Sequence, residues 1–200
     1  GEQPFATHCI MALYQYSGST TINGGKISTP NYRSARLWKG DMTINGGTFD
    51  GQVWVQAVDN TAKLTVNGGT FEPNGNDASS VFVTNDKYNV ALAVTDGTFN
   101  GKVGCSDATK LAGAIKGGKF NEAAKSGTNA NLLANGLVFA DEVGENGLFS
   151  LVDGLKGAGT AEVPYMITSV KELEIFRDKV NSGETKYNAP GVWVALGADI

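Results

Sequence analysis

The sequence predicts an all-β chain whose short strands stack coil upon coil as a parallel β-helix. One phrase recurs almost unchanged, as TINGGKI at Thr21–Ile27, TINGGTF at Thr43–Phe49 and TVNGGTF at Thr65–Phe71. Turn dipeptides recur further along as well. They stand at Gly24-Gly25, Gly46-Gly47, Gly68-Gly69, Asp96-Gly97 and Gly117-Gly118, at intervals of 22, 22, 28 and 21 residues. Glycine supplies 27 of 200 residues, about twice its usual share of roughly 7 %. Proline supplies only 5, so the glycine serves turns and not a low-complexity tract. Periods of this length mark solenoids, and about five coils are predicted. No segment between the copies sustains a helical period, which argues against leucine-rich or helical repeats.

The recurring positions justify the coil element by element. Ile22, Ile44, Val66, Val94 and Ile115 stand two residues before the turn dipeptide. Ile27, Phe49, Phe71, Phe99 and Phe120 stand three after its first residue. An apolar residue returning at one angular position points inward and packs on its copies above and below. The glycine pair marks a bend where a side chain would clash or φ must be positive. Asn23, Asn45 and Asn67 predict a short amide ladder. An earlier segment of each coil alternates with period 2, in QVWVQAV (Gln52–Val58), SVFVTN (Ser80–Asn85) and KVGCS (Lys102–Ser106). Val53, Val55, Val81, Val83, Val103 and Cys105 then face inward. The 28-residue interval holds EPNGNDASS (Glu72–Ser80), a turn-rich insertion. Isolated coils cannot bury their apolar face, so the stack is the folding unit.

After Phe120 the repeat breaks, and an open stack needs a cover for its strand edges. TNANLLANG (Thr128–Gly136) reads as a short helix stopped at Asn135-Gly136. Leu137–Gly154 reads as a hairpin turning at Asn146-Gly147. Asn121–Asp153 is therefore the predicted C-terminal helix/hairpin cap. Gly154–Ala161 is a linker of small residues. Ser169-x-x-Glu172 is a capping box, and Val170, Leu173, Phe176 and Val180 form one apolar helical stripe that Gly183 stops. Gly191–Ile200 reads as a strand. This tail is a short helix-strand segment.

The NGGTF coils followed by NLLANGLVFADEVGENGLFSLVDG resemble the right-handed, pectate-lyase-like β-helix repeats of large bacterial cell-surface proteins. The tail, GLKGAGTAEVPYMITSVKELEIFRDKVNSG and beyond, resembles the opening of another such surface module. The resemblance implies a right-handed coil, a secreted or cell-surface location and a structural role. It divides the chain into a capped β-helix at 1–153, a linker at 154–161 and the truncated start of a second module at 162–200.

Bulk properties exclude several function classes. A net charge of −4 gives no electrostatic case for nucleic acid. No window is apolar and long enough to span a membrane. The two cysteines, Cys9 and Cys105, form no disulfide framework and no CxxC pair, and the single histidine, His8, makes a histidine-rich metal site untenable. No cofactor or metal is expected. β-Helices host polysaccharide lyases and glycoside hydrolases, so an enzyme is the rival reading, degenerate or with its site outside this segment. The acidic residues of the coils are sparse, among them Asp41, Asp59, Asp77, Asp86 and Asp107, and most of these fall in turns. Asp59 with Asp86 is the best candidate carboxylate pair.

The candidate binding site is aromatic. If the valines face in, Trp54 and Phe82 face out. Arg36 falls in their register, with Trp38 two residues on and Tyr14 or Tyr16 extending the stripe. Outward rings on a flat sheet suit a glycan or a surface-protein partner. The sequence thus predicts a structural and adhesive segment that contacts such a ligand through Arg36, Trp38, Trp54 and Phe82. A covering loop such as Glu72–Ser80, or self-association, would occupy the same face instead.

Overall fold

A computed structural model describes residues 11–73, 75 and 78–200; His8, Cys9 and Asp77 lie outside these. Strands dominate, with few helices. They are β1 (Met11–Gln15), β2 (Ser19–Ile22), β3 (Lys26–Leu37), β4 (Asp41–Ile44), β5 (Thr48–Gln56), β6 (Lys63–Val66), β7 (Thr70–Phe71), β8 (Ser79–Thr84), β9 (Ala91–Val94), β10 (Thr98–Phe99), β11 (Lys102–Cys105) and β12 (Lys119–Phe120). One sheet runs β2-β4-β6-β9, all parallel. A larger sheet runs β1-β3-β5-β7-β10-β12, also parallel, with β8 and β11 continuing from β5.

Register follows the sequence repeat. Ile22, Ile44, Val66 and Val94 are paired in succession, and bridges extend this column through Ile115 to Leu133. Ile27, Phe49, Phe71, Phe99 and Phe120 form the second column. Its rings stack face to face, with centroids 5.0, 5.0 and 5.1 Å apart from Phe49 to Phe120. Val53, Val55, Val81, Val83 and Val103 are fully buried in the same core as the columns. Cys105, at the end of its strand, is only half-buried, and burial pushes its thiol pKa up. The asparagine ladder forms: the Asn45 amide donates to Asn23 Oδ1 at 2.8 Å, and that of Asn67 to Asn45 Oδ1 at 3.0 Å. The Thr95 hydroxyl then takes the next rung on Asn67 Oδ1.

The far end closes by reversing strand direction. β13 (Leu137–Phe139) and β14 (Phe149–Asp153) form the expected hairpin, and β14 pairs antiparallel with β12. Phe139 meets Phe120 edge-on at 5.1 Å and ends the ring stack. The turn lies where the sequence places it, with Asn146 at φ 60°. The helix predicted over Thr128–Gly136 is absent. The helix of this region is α1 (Glu122–Gly127), which starts where the Asn121 side chain accepts from the Ala124 N–H. Residues Ala130–Leu132 make one 3-10 turn. Leu132 and Leu133 are both buried, and an extended Leu133 continues the isoleucine column, which a helix there would forfeit.

The tail builds a second, smaller core. β15 (Tyr165–Ile167) pairs parallel with β16 (Val194–Leu196). Between them run α2 (Val170–Asn181) and α3 (Thr185–Asn188), the latter unforeseen. Leu155, Tyr165, Ile167 and Tyr187 are buried, with Phe176 and Val180 packed against them. Val170 and Leu173 of the predicted stripe are instead 59 % and 43 % exposed. The buried face of α2 has turned toward Glu172. Ser169 caps the helix as predicted, accepting from the Glu172 N–H. The Glu172 carboxylate does not close the box on Ser169. It accepts from the Thr168 N–H and hydroxyl, both at 2.7 Å, and from the Gly136 N–H at 3.2 Å. This joins the tail to the cap, as do the Lys156 amine on the Leu133 carbonyl and the Lys186–Asp141 ion pair.

Two outcomes follow from this packing. Phe71 is sandwiched between two stacked rings, so Phe71→Ala destabilises the protein by about 3–5 kcal/mol, measured by urea unfolding; a near-neutral result would refute the stacked column. Burial alone would raise the Glu172 carboxyl, but the bonds from Thr168 and Gly136 outweigh it and hold the pKa below its usual value. The ionised contacts therefore stabilise the fold above the ordinary glutamate range, around pH 4.3, and are lost as pH falls through that range and below it. Melting of the wild type loses stability there, and Glu172→Gln flattens that part of the pH profile.

Candidate functional site

The predicted outward residues are brought together. Tyr14 pairs with Arg36, Arg36 with Trp54, Trp54 with Phe82 and Phe82 with Gly104, one column across five strands. Period-2 alternation turns them away from the buried valines. Two residues along stand Tyr16, Trp38, Gln56, Thr84 and Ser106, of which Gln56 and Thr84 are paired. Arg36, Trp38, Trp54 and Phe82 are half-buried, whereas Tyr14 and Tyr16 are 45 % and 62 % exposed. Gly104 leaves its place in the column open, and Phe82 lies against it; a Cβ there would stand 3.0 Å from the Phe82 ring.

The rings are interleaved with cations. The Arg36 guanidinium carbon lies 4.2 Å from the Trp38 ring centroid, 4.9 Å from Trp54 and 5.3 Å from Tyr14. Arg33 lies over Trp54 at 3.7 Å, and the Lys39 amine stands 5.7 Å from the Tyr16 ring. Such contacts combine the attraction of a cation for the ring face with dispersion. Trp54 also donates its Nε1–H to the Thr84 hydroxyl at 3.0 Å. Tyr14 meets Trp38 edge-on at 6.1 Å. What covers Trp54 is thus a guanidinium. Of the insertion, Pro73 and Ala78 lie against Gly101 and the Ser79 hydroxyl lies near Gly104.

Arg33 was missed by sequence reasoning for a definite cause. Strict alternation counted back from Arg36 puts Arg33 on the inner face. A bulge reverses that parity, because Arg33 pairs with Gln52 while Ala35 pairs with its immediate neighbour Val53. The extra residue, Ser34, is buried and donates its hydroxyl to the Gly51 carbonyl. A signal existed: β3 takes eight steps from Ile27 to Ala35, where β5 takes four from Phe49 to Val53. A repeat that is too long at one corner must bulge or loop.

Two of the acidic candidates, Asp59 and Asp107, serve turns. Asp59 accepts from the Thr61 N–H and hydroxyl, bonds that hold its carboxyl below the usual range. Asp107 does the same for Thr109. Asp86 is exposed and offers its backbone carbonyl to Lys110. Among the described residues no group of three or more His, Cys, Asp or Glu side chains could hold a metal ion. A concavity of about 450 Å³ at the junction with the tail is lined by Asn131, Asn135, Lys156, Thr168 and Glu172. Its charged groups are already engaged, and burial pushes the Lys156 amine pKa down. No helix among the described residues is long and apolar enough to cross a membrane.

Comparison with protein-family models, with curated proteins and with solved structures found no match to this chain.

The Arg33–Trp54 contact is directly testable. A double-mutant cycle with Arg33→Met and Trp54→Ala should give a coupling of about 0.5–1 kcal/mol in unfolding free energy. Additive single effects would mean that the stacked pair contributes nothing.

Proposed function

We propose that this chain is a non-catalytic structural and adhesive segment of a secreted or cell-surface bacterial protein. Its residues 1–153 form a right-handed parallel β-helix of about five coils with its cap. Residues 154–161 link it to the start of a second surface module at 162–200. The coils act as a rigid stalk, and the outward face of Arg36, Trp38, Trp54 and Phe82, with Tyr14 and Arg33, contacts a glycan or a partner protein.

One observation carries this reading. The recurring positions of the repeat serve the stack, as inward columns, turn glycines or ladder amides. The face interrupts that economy. It gathers two of the three arginines and two of the three tryptophans of the chain, types that a repeat does not need outside its core. Parallel pairing at matched register supports the coil, and the reversal at β14 supports a cap. Turn duty for Asp59 and Asp107 speaks against general acid–base work, which needs a carboxylate aimed at substrate.

A combined array of glycans and surface proteins tests the adhesive role, with Trp54→Ala as control. Weak binding that Trp54→Ala abolishes is the expected result. Binding that survives the substitution relocates the site. Turnover of uronic-acid polymers, by elimination or hydrolysis, overturns the non-catalytic role.

A further inference from the structure

We propose that the concavity between cap and tail binds a small zwitterion, an α-amino acid with an apolar side chain. This site is separate from the outward aromatic face. It lies where the linker, β15 and the first turn of α2 meet the cap. About 450 Å³ are lined there by Asn131, Asn135, Lys156, Met166, Thr168 and Glu172, among others. Small-ligand pockets of about 300–1,000 Å³ occur preferentially at such junctions. Charge selects the ligand. The cavity has one cation and one anion on its walls. Glu172 is only 2 % exposed, and Lys156 is half-buried and feels the Glu172 charge. The two form no ion pair with each other, since the Lys156 amine bonds the Leu133 carbonyl instead. A lone anion drawn to Lys156 would be opposed by Glu172, and a lone cation drawn to Glu172 by Lys156. A molecule carrying both charges is opposed by neither.

Bonding capacity points the same way. An ammonium has three donors, and among the described residues Lys156 spends one of them, on the Leu133 carbonyl at 3.0 Å. An ionised carboxylate has about four acceptor sites. Glu172 uses three, for the Thr168 N–H and hydroxyl and the Gly136 N–H. The side-chain amides of Asn131 and Asn135 make no hydrogen bond among the described residues. Burial lowers the Lys156 pKa, the mark of a cation short of solvent. A ligand carboxylate on that amine replaces the lost water with a charge-assisted bond. The ligand ammonium then takes the remaining Glu172 site and the asparagine oxygens, and Met166 and Ala112 form a wall for an apolar side chain. A neutral polyol would bring no counter-charge to either group. Because the lining comes from the cap, the linker and the tail together, an occupied site also holds the tail on the cap.

The test titrates the whole chain with each apolar L-amino acid by calorimetry and melts it with and without each. At least one is expected to bind more tightly than about 1 mM and to raise the melting temperature as its concentration rises. The best ligand is then compared with the amine that lacks its carboxylate and the acid that lacks its amino group, for leucine isoamylamine and isocaproic acid. Each should bind about tenfold more weakly or worse, the loss of one charge-assisted bond. This series needs no mutation, so it stands even where a variant folds badly. Lys156→Met should abolish binding, with circular dichroism to check that the sheets persist. Equal affinity for the amino acid and the plain acid, or for the amino acid and the plain amine, overturns the zwitterion site. Undiminished binding by a folded Lys156→Met overturns it as well, as does no apolar amino acid binding below about 1 mM. All three results leave the adhesive role of the outward face standing.

Discussion

Hydrogen bonding between the backbones of successive repeats is the constraint on which the rest depends. The Asn45 N–H donates to the Ile22 carbonyl and the Asn67 N–H to that of Ile44, at 2.8 and 2.7 Å. Across the turn, Thr48, Thr70, Thr98 and Lys119 donate to Gly25, Gly47, Gly69 and Gly97, each at 2.8 Å. At some corners this pairing leaves no room for a side chain. A Cβ on Gly68 would stand 2.7 Å from the Asn45 carbonyl oxygen. With the register locked, like residues stack on like, and a phenylalanine that repeats in sequence becomes a column of parallel rings.

The same constraint creates a problem at the end of the stack, where unpaired edges and a bare ring face would meet solvent. The hairpin β13–β14 answers both needs. Antiparallel pairing to β12 satisfies the last edge, and Phe139, turned edge-on, closes the column. The tail then adds its own small core and docks through polar contacts. Glu172 is the centre of that joint, since one buried carboxylate gathers donors from α2's own cap region and from Gly136.

The outward face obeys no such economy. Its backbone is fixed by the stack, but its side chains are released from the core. Interleaved arginines and rings use that freedom. The rings of Trp38 and Trp54 lie against guanidinium groups, which orients the in-plane donors more than on a mobile surface side chain.

The sequence by itself determined the repeat, the two inward columns, the amide ladder, the hairpin turn and the alternation that sends Trp54 and Phe82 outward. These are local or periodic features, and each is written in residue type at fixed spacing. Other features were decided only by tertiary structure. Leu133 extends because a column waited for it, where composition suggested a helix. Leu173 stays exposed because Glu172 found partners in the cap and turned the helix. Arg33 reaches Trp54 because a bulge at Ser34 reversed the parity of its strand. In each case the deciding partner lies far away in sequence, on an element whose position no local pattern encodes.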